Sequence, residues 1–265
     1  MKAYNDTSIN MNKFLHRIKL FWKMLALLIN PTVFLCLHYK NFLDQLILIG
    51  PNSLFITMIT SFFVSLVLSL QIVKEFLYLN ATDLVGSILA ISFIRELSPV
   101  LTSIIIIGRV GSFFTAEIAT MTITEQIDAL LILGINPINY LFLPRVLAMV
   151  LTLPILNVFS LFTSFISSSF ICSIIYSIDT SFFFNLYYIV FFFVDIFKST
   201  LKILIFGLFI STISYVWGIT TTGGSKGVGL ATTSAVVMSL IVVFILNFIL
   251  SYLLFSDLVS SFEIL

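Results

Sequence analysis

Long apolar runs that contain no charged residue are the feature that most constrains this chain. Residues 101–108 read LTSIIIIG and residues 235–246 read AVVMSLIVVFIL, and similar runs recur along most of the sequence. Only 9% of the residues are charged, whereas 60% are hydrophobic and the mean hydropathy is +1.17. Average soluble domains carry about a quarter charged residues, so a soluble chain of this composition could not cover its own core. The sequence therefore predicts an integral membrane protein.

The pattern of these runs predicts an all-α integral membrane protein. They do not alternate with period two, as the strands of a transmembrane barrel would. A helix needs about 20 residues to cross a bilayer, so 265 residues leave room for about five or six crossings. We predict five transmembrane helices, at about 52–78, 84–110, 146–176, 197–217 and 230–256. The aromatic segment 181–196 could lie at the interface, lengthen the fourth span or form a sixth crossing.

A basic amphipathic segment precedes the first span. Residues 13–30 read KFLHRIKLFWKMLALLIN, in which basic residues mix with apolar ones around Trp22. This composition is typical of a helix that lies in the membrane interface. The alternative is a short first span that begins at Phe21, but Pro31 interrupts the apolar run early.

We divide the chain into two parts on this basis. Residues 1–45 are the N-terminal part, in which residues 1–12 are polar and are expected to form a loose tail before the interfacial helix. Residues 46–265 form a single transmembrane domain that includes a short helix in a loop at about 122–136.

The distribution of lysine and arginine orients the chain in the membrane. Six basic residues precede the first span: Lys2, Lys13, Arg17, Lys19, Lys23 and Lys40. Arg145 and Lys226 follow in two later loops, whereas the opposite side carries Asp83 and Asp179. Because basic residues remain on the cytoplasmic side, the N-terminus should face the cytoplasm, or the stroma of a plastid.

Two adjacent charged residues lie inside the second predicted span. Arg95 and Glu96 are about eleven residues into it, roughly 16 Å deep and near the middle of the bilayer. Unpaired charges there cost several kcal/mol, and neighbours in a helical sequence do not face each other. We therefore expect Arg95 and Glu96 to find separate partners on other helices or to line a wet substrate path. Pro99, which lacks an N–H group, should kink this helix.

Two further groups of charged residues have structural interpretations. Arg109, Glu117 and Arg145 form a predicted structural charge group, in which Glu117 could pair with either arginine. Three more charges share one helix face at the start of the fourth span: Asp195, Lys198 and Lys202. The preferred interpretation is that these three reach the outer interface, and the alternative is a polar patch at the mouth of a cavity.

Residues 122–136, which read TITEQIDALLILGIN, predict a short amphipathic helix in a cytoplasmic loop. Thr122 and Glu125 have the spacing of a capping box. Gly134 is placed as a helix C-cap, and Pro137 prevents continuation. Such a helix can float at the interface or insert into a groove on a soluble partner.

Motifs for catalysis or cofactor binding are not found in the sequence. The loop at 218–229, GITTTGGSKGVG, lacks the spacing of a phosphate-binding loop. Two cysteines and two histidines give no metal-site spacing, and a net charge of +1 gives no indication of nucleic acid. We therefore expect no enzyme activity and no cofactor of its own, so that any ATP would bind to a partner subunit.

Residues 95–148 resemble the MlaE (YrbE) permease family. The matching elements are Arg95-Glu96 with Pro99, Gly108-Arg109 with Gly111, Ala116-Glu117, the run EQIDAL at 125–130, Gly134 with Pro137, and Pro144-Arg145. Residues 221–237 also resemble this family's second inner loop and final helix. The resemblance covers about half of the chain by motif and all of it by the pattern of spans.

The resemblance implies a homodimeric ABC transporter permease with an interfacial helix and five spans per chain. Such permeases bind a pair of ABC ATPase subunits, work with an MCE-domain lipid-binding protein across the membrane, and move phospholipid or related membrane lipid. The family's EQIDAL segment is its coupling helix, so the resemblance places Glu125, Gln126, Asp128 and Leu130 against the ATPase. It places Arg95 and Glu96 beside the lipid path.

The chain also departs from the family. Phe113 and Phe114 stand where small residues are usual, and Leu133 stands where methionine is common, which leaves the lipid species open. Some algal plastid genomes encode members, and the abundance of Phe, Ile, Asn and Lys fits an AT-rich genome. We therefore expect the plastid (chloroplast) envelope membrane, with a bacterial inner membrane as the alternative.

Two other classes of function fit the sequence less well than an ABC permease. A stand-alone channel or secondary transporter would have inverted repeats with matching broken helices, and no such repeat is found. A membrane-embedded enzyme would need converging histidine, aspartate or serine groups, and the two histidines, His16 and His38, lie far from any acidic cluster.

Overall fold

The computed structural model of the chain describes residues 2–28, 39–80, 85–177 and 189–255. These residues form seven helices, with no strand in the described ranges. Their bounds are α1 Lys2–Leu28, α2 Tyr39–Tyr78, α3 Val85–Ile123, α4 Gln126–Ile132, α5 Ile138–Tyr176, α6 Ile189–Ile219 and α7 Gly224–Phe255. The predicted all-α class is confirmed.

Four of these helices, α2, α3, α5 and α7, are long and apolar enough to cross a membrane. They correspond to the first, second, third and fifth predicted spans, as far as those spans lie within the described residues. The fourth predicted span, 197–217, lies within α6, whose 31 residues include Asp195, Lys198 and Lys202 near its start. Five crossings in total stay a prediction. Residues 189–196 of the aromatic segment are the first turns of α6, and the rest of that segment lies outside the described residues.

The N-terminal part is more helical than the sequence indicated. α1 begins at Lys2, so the prediction of a loose tail over residues 1–12 was wrong. α2 begins at Tyr39 and continues through Pro51, although the apolar pattern starts only at about residue 52. Hydrogen bonds within a helix extend it beyond its apolar stretch at little cost, so hydropathy alone locates helix ends poorly.

α3 and α5 contain π-helical segments, and two of them precede a proline by two residues. Phe93–Leu97 lies before Pro99, and Ile138–Phe142 lies before Pro144. Proline removes an N–H group, and its ring clashes with the carbonyl group four residues earlier. The wider π turn relieves that clash, so α3 continues as one helix to Ile123.

The helices form two compact units that are described separately. The first unit comprises Met1–Ile49, Ile107–Met149 and Leu208–Ile241, and the second comprises Gly50–Ile106, Val150–Gly207 and Val242–Leu265.

In the second unit, small polar residues allow α2 and α5 to pack closely. Ser61 and Ser65 follow each other at helical spacing on the buried face of α2. The hydroxyl group of Ser61 lies 2.8 Å from that of Thr163, and Ser65 is hydrogen-bonded to Ser167. Small hydroxyl side chains of this kind are enriched between membrane helices because they combine close approach with a hydrogen bond.

In the first unit, a glycine brings α6 against α3. A Cβ atom added at Gly218 would lie 2.7 Å from Cβ of Ile118 and 3.3 Å from the carbonyl oxygen of Thr115. Any larger residue there would push the two helices apart. This contact holds the end of α6 beside the part of α3 that leads to α4.

Candidate functional site

A cluster of buried charges in the second unit begins at the π-helical segment of α3. Pro99 stands four residues after Arg95 and has no N–H group, so the usual α-helical hydrogen bond to the carbonyl oxygen of Arg95 cannot form. The ammonium group of Lys202 on α6 donates to this oxygen at 2.9 Å. Lys202 is fully buried, so its ammonium group supplies a donor where the proline supplies none.

Arg95 and Glu96 pair with different residues of α6. Nε and Nη2 of Arg95 donate to Oδ2 of Asp195 at 2.9 Å and 2.8 Å, and Oε2 of Glu96 lies 3.2 Å from Nζ of Lys202. Separate partners are what the helix geometry of adjacent residues requires. The role of Arg95 and Glu96 in a lipid path stays a prediction.

Two polar residues of α7 complete this arrangement. Asn247 donates to Oε2 of Glu96 at 2.8 Å, and Ser251 donates to Oε1 of Glu96 at 2.6 Å. We name the set the membrane charge cluster: Arg95, Glu96, Asp195, Lys202, Asn247 and Ser251. Its four charges sum to zero, which makes the cluster tolerable inside an apolar span. The Glu96 side chain is nevertheless 44% exposed.

The prediction that the three charged residues at the start of α6 reach the outer membrane interface was wrong for two of them. Asp195 and Lys202 point into the second unit, where they are 5% and 0% exposed, instead of reaching the outer interface. Lys198 is half-buried and lies 5.3 Å from the ring centroid of Phe255. Asn247 was not predicted from the sequence, although a lone amide in the apolar span of α7 is itself a signal of a buried partner.

The loop helix α4 is shorter than predicted. It spans Gln126–Ile132 instead of about 122–136, because Thr122 and Ile123 are the last residues of α3. The predicted capping box was wrong: the hydroxyl group of Thr122 donates to the carbonyl oxygen of Ile118 at 2.8 Å. Glu125 occupies the N-cap position with φ +58°, and its side chain makes no cap hydrogen bond.

The C-terminal end of α4 agrees with the prediction. Gly134 has φ +75°, its N–H group donates to the carbonyl oxygen of Leu131 at 3.0 Å, and that of Ile135 donates to Leu130 at 2.9 Å. These two bonds define a Schellman motif, which glycine favours because it lacks a Cβ atom. Asn136 lies just before α5, and its Oδ1 atom accepts a hydrogen bond from the N–H group of Ile138, the first residue of that helix, at 3.0 Å.

The exposed surface of α4 and its C-terminal turn is more apolar than expected. Leu131, Ile132 and Leu133 are 56%, 86% and 73% exposed. Glu125, Gln126 and Asp128 are exposed as well, whereas Ile127 is buried. The helix therefore buries one side chain against its own unit and presents both apolar and charged groups outward.

The predicted structural charge group contains one ion pair. Nη2 of Arg145 lies 2.7 Å from Oε2 of Glu117, and its guanidinium carbon lies 5.0 Å from the ring centroid of Phe114. Arg145 is 4% exposed. Arg109 is exposed on α3 and has no ion pair among the described residues, so Glu117 takes Arg145.

α1 is held to the first unit by an arginine. Nε of Arg17 donates to the hydroxyl group of Thr220 at 2.9 Å, and the guanidinium group lies 5.3 Å from the ring centroid of Trp217. Partial burial lowers the pKa of Arg17 below its usual value. Leu15 and Trp22 are exposed on the same helix, 58% and 64%, which fits the predicted position in the membrane interface.

Comparison with known proteins gives consistent matches over most of the chain. A family model described as Permease MlaE matches residues 42–253. A probable ABC transporter permease protein of Pyropia yezoensis is 45% identical over 249 residues, which are 94% of this chain and 93% of that protein.

Two further relatives come from other lineages. A probable ABC transporter permease protein of Synechocystis is 47% identical over 219 residues, which are 83% of each chain. The protein named TRIGALACTOSYLDIACYLGLYCEROL 1, chloroplastic, of Arabidopsis thaliana is 44% identical over 219 residues, which are 83% of this chain and 63% of that protein.

Proposed function

This chain belongs to the MlaE permease family, and from that premise we propose that it moves lipid between membranes as half of a homodimeric ABC transporter. As an ABC transporter permease it works with an ATPase subunit. In this proposal ATP is bound and hydrolysed entirely on that partner, and this chain supplies the membrane path.

The observation that carries the proposal is the geometry of α4. Two residues separate α4 from α3, and five separate it from α5, so these short connections would pass a displacement of α4 to both long helices. Its ends are fixed by the left-handed Glu125 and by the Schellman motif at Gly134. A short rigid helix with exposed apolar side chains suits insertion into a groove on a partner.

The proposed contact combines charge and apolar surface. Glu125, Gln126 and Asp128 are exposed and would reach polar groups of the ATPase, whereas Leu130 is only half-buried against its own unit. Ile132 is 86% exposed, so we add it to the contact. Closure of the ATPase pair on ATP would then move α4 and, through it, α3 and α5.

The proposed cargo is a membrane lipid. The membrane charge cluster supports a polar path, because the half-exposed Glu96 would be costly against hydrocarbon and therefore suits a hydrated cavity. The name of the Arabidopsis relative is that of a galactolipid, which supports a lipid substrate class. We propose that an MCE-domain lipid-binding protein receives or delivers the lipid on the far side of the membrane.

The proposed location is the plastid envelope membrane. The name of the Arabidopsis relative includes the word chloroplastic, which fits this location. The Synechocystis relative fits the alternative, a bacterial inner membrane. In either case the chain is a multi-pass membrane protein.

Co-purification in detergent tests the proposal. The tagged chain should elute as a dimer together with a P-loop ATPase, and Asp128→Lys should abolish that association because it reverses an exposed charge of α4. Glu75→Lys is the matched control, since it makes a similar reversal on an exposed residue of α2. Lipid extracted from the same complex should identify the cargo.

Two results would contradict the proposal. A stable particle that transports without any ATPase would favour a stand-alone transporter. Retention of the ATPase and of ATP-dependent transport by Asp128→Lys and by Ile132→Glu would remove α4 from the contact.

A further inference from the structure

The described side chains of α1 form three sectors around the helix, and one of them packs against the first unit. Met24 is buried, the ring of Phe21 lies 5.6 Å from that of Phe209 on α6, and Arg17 donates to Thr220. The three α1 residues follow each other at spacings of four and three, so they share one side of the helix. These contacts with α6 determine which side of α1 is turned outward.

The outward side of α1 has an apolar sector and a basic sector next to each other. Leu15, Ile18 and Trp22 are exposed and follow at spacings of three and four, so they form one row. Lys19 and Lys23 are exposed as well. Each lysine follows a member of that row by one residue, about 100° further round the helix. The two lysines therefore flank the apolar row on one side.

The lysines of α1 form no ion pair within the part of the chain that the structure describes. The sequence contains no aspartate or glutamate at residues 15–28, nor at residues 196–255, which include the part of α6 that packs against α1. Lys226, exposed in the first turn of α7, adds to the positive charge of this unit. The exposed charge of Lys19 and Lys23 is therefore complementary to an anionic partner.

An anionic lipid surface fits both sectors at once. The apolar row can enter the boundary between headgroups and acyl chains, where tryptophan is favoured. Lysine side chains can extend from that depth and keep their ammonium groups among the headgroups. An acidic protein surface would satisfy the lysines but not the apolar row beside them.

We propose that the outward side of α1 binds anionic lipid headgroups of the leaflet in which it lies, with Lys19 and Lys23 as the headgroup contacts. Zwitterionic lipid satisfies the apolar row but offers no net charge, so anionic lipid is concentrated around α1. The inference goes beyond the proposed function, because it concerns the lipid that surrounds the chain instead of the lipid that it moves. It requires neither the ATPase nor transport.

Trp22 is the probe for the test. The chain contains two tryptophans, and Trp217→Phe leaves Trp22 as the only one while it keeps an aromatic ring beside Arg17. This full-length variant is reconstituted alone into vesicles of equal amounts of phosphatidylglycerol and phosphatidylcholine, with bromine on the acyl chains of one lipid at a time. Because bromine quenches tryptophan fluorescence only at short range, the two quenching constants give the local ratio of the two lipids around Trp22.

Brominated phosphatidylglycerol should quench Trp22 more strongly than brominated phosphatidylcholine. Replacing both lysines, Lys19→Gln with Lys23→Gln, should lower the local ratio of phosphatidylglycerol to phosphatidylcholine about fivefold or more, since one lysine near an anionic surface contributes about fivefold. Raising the salt from about 0.1 M to about 1 M should abolish the preference, because the screening length falls from about 10 Å to about 3 Å.

Control variants separate charge from other effects of substitution. Lys19→Arg with Lys23→Arg keeps both charges and should retain the preference. Lys74→Gln removes an exposed lysine near the end of α2 and should leave the preference unchanged, whereas Lys23→Gln alone should already lower it.

Three results would overturn the proposal. Equal quenching by the two brominated lipids would show that α1 selects no headgroup. Weak quenching by both would show that Trp22 does not lie in lipid, so that its side of α1 faces something else. An undiminished preference after Lys19→Gln with Lys23→Gln would assign the anionic lipid to other residues.

Discussion

Single buried charges determine how α3, α6 and α7 are held together in the second unit. Lys202 is fully buried and contacts the carbonyl oxygen of Arg95, the carboxylate of Glu96 and the hydroxyl group of Ser251. Each contact satisfies a group that would otherwise be costly at membrane depth. The lysine is therefore a structural partner of the π-helical segment as well as a counter-ion.

Lys202→Met should destabilise the chain by about 3 kcal/mol. This is the lower end of the range for breaking a buried ion pair, because the Glu96 side chain is 44% exposed and keeps some hydration. The free energy of unfolding in detergent micelles measures the loss. Lys198→Met is the control, since Lys198 has no ion pair among the described residues, and equal losses for the two variants would contradict the prediction.

Gly218→Ala should lower the stability of the first unit by about 1–3 kcal/mol, the usual cost of overpacking. The added methyl group would lie 2.7 Å from Cβ of Ile118, and neither helix backbone can yield easily. Thermal unfolding of the purified chain measures this loss. Gly108→Ala adds the same group where nothing lies within 4 Å and should be neutral, so equal melting temperatures for both variants would refute the packing argument.

The helical shape of α4 depends on its two fixed ends more than on the seven residues between them. Helices this short are unstable by themselves, so their shape depends on fixed termini. Glu125 and Gly134 both adopt left-handed backbone conformations, and they separate α4 from α3 and from α5. The element can therefore move as one body.

Gly134→Ala should weaken binding of the ATPase about tenfold. A left-handed alanine costs about 1–2 kcal/mol, which loosens the last turn of α4 and the exposed Ile132 with it. Affinity measured between the permease and its ATPase tests this. Gly134→Asn should bind almost normally because asparagine tolerates this conformation, and a result in which both variants bind equally weakly would point to another cause.

The number of membrane crossings determines on which side of the membrane each terminus of the chain lies. Four of the described helices are long and apolar enough to span, and α6 carries three charges near its start. Two of those charges are buried in the second unit with partners on α3, so α6 can cross the membrane without exposing them to lipid.

Reporter fusions at the two termini should therefore label opposite sides of the membrane. Five crossings place the N-terminus in the cytoplasm or stroma and the C-terminus across the membrane, as the distribution of basic residues requires. Protease protection of each reporter in sealed vesicles gives the measurement. Reporters on the same side would mean an even number of crossings.

The sequence predicted the features that depend on residues close together in the chain. The membrane class, the all-α fold, the apolar helices and the helix C-cap at Gly134 follow from hydropathy and backbone preference within a few turns. The capping box failed because Thr122 bonds back into α3, a competition between two local bonds that spacing alone cannot decide.

The tertiary structure decided which distant groups meet. Nothing in the sequence shows that Asp195 turns inward to Arg95, because a buried aspartate and an exposed one leave the same sequence pattern. The outward side of α1 likewise depends on the contact between Arg17 and Thr220, which are separate in the sequence. The sequence by itself determined a helical membrane chain with a loop helix, since these are local properties of the backbone and its hydration. Packing decided the charge partners and the outward side of α1, because each depends on the approach of helices far apart in the chain.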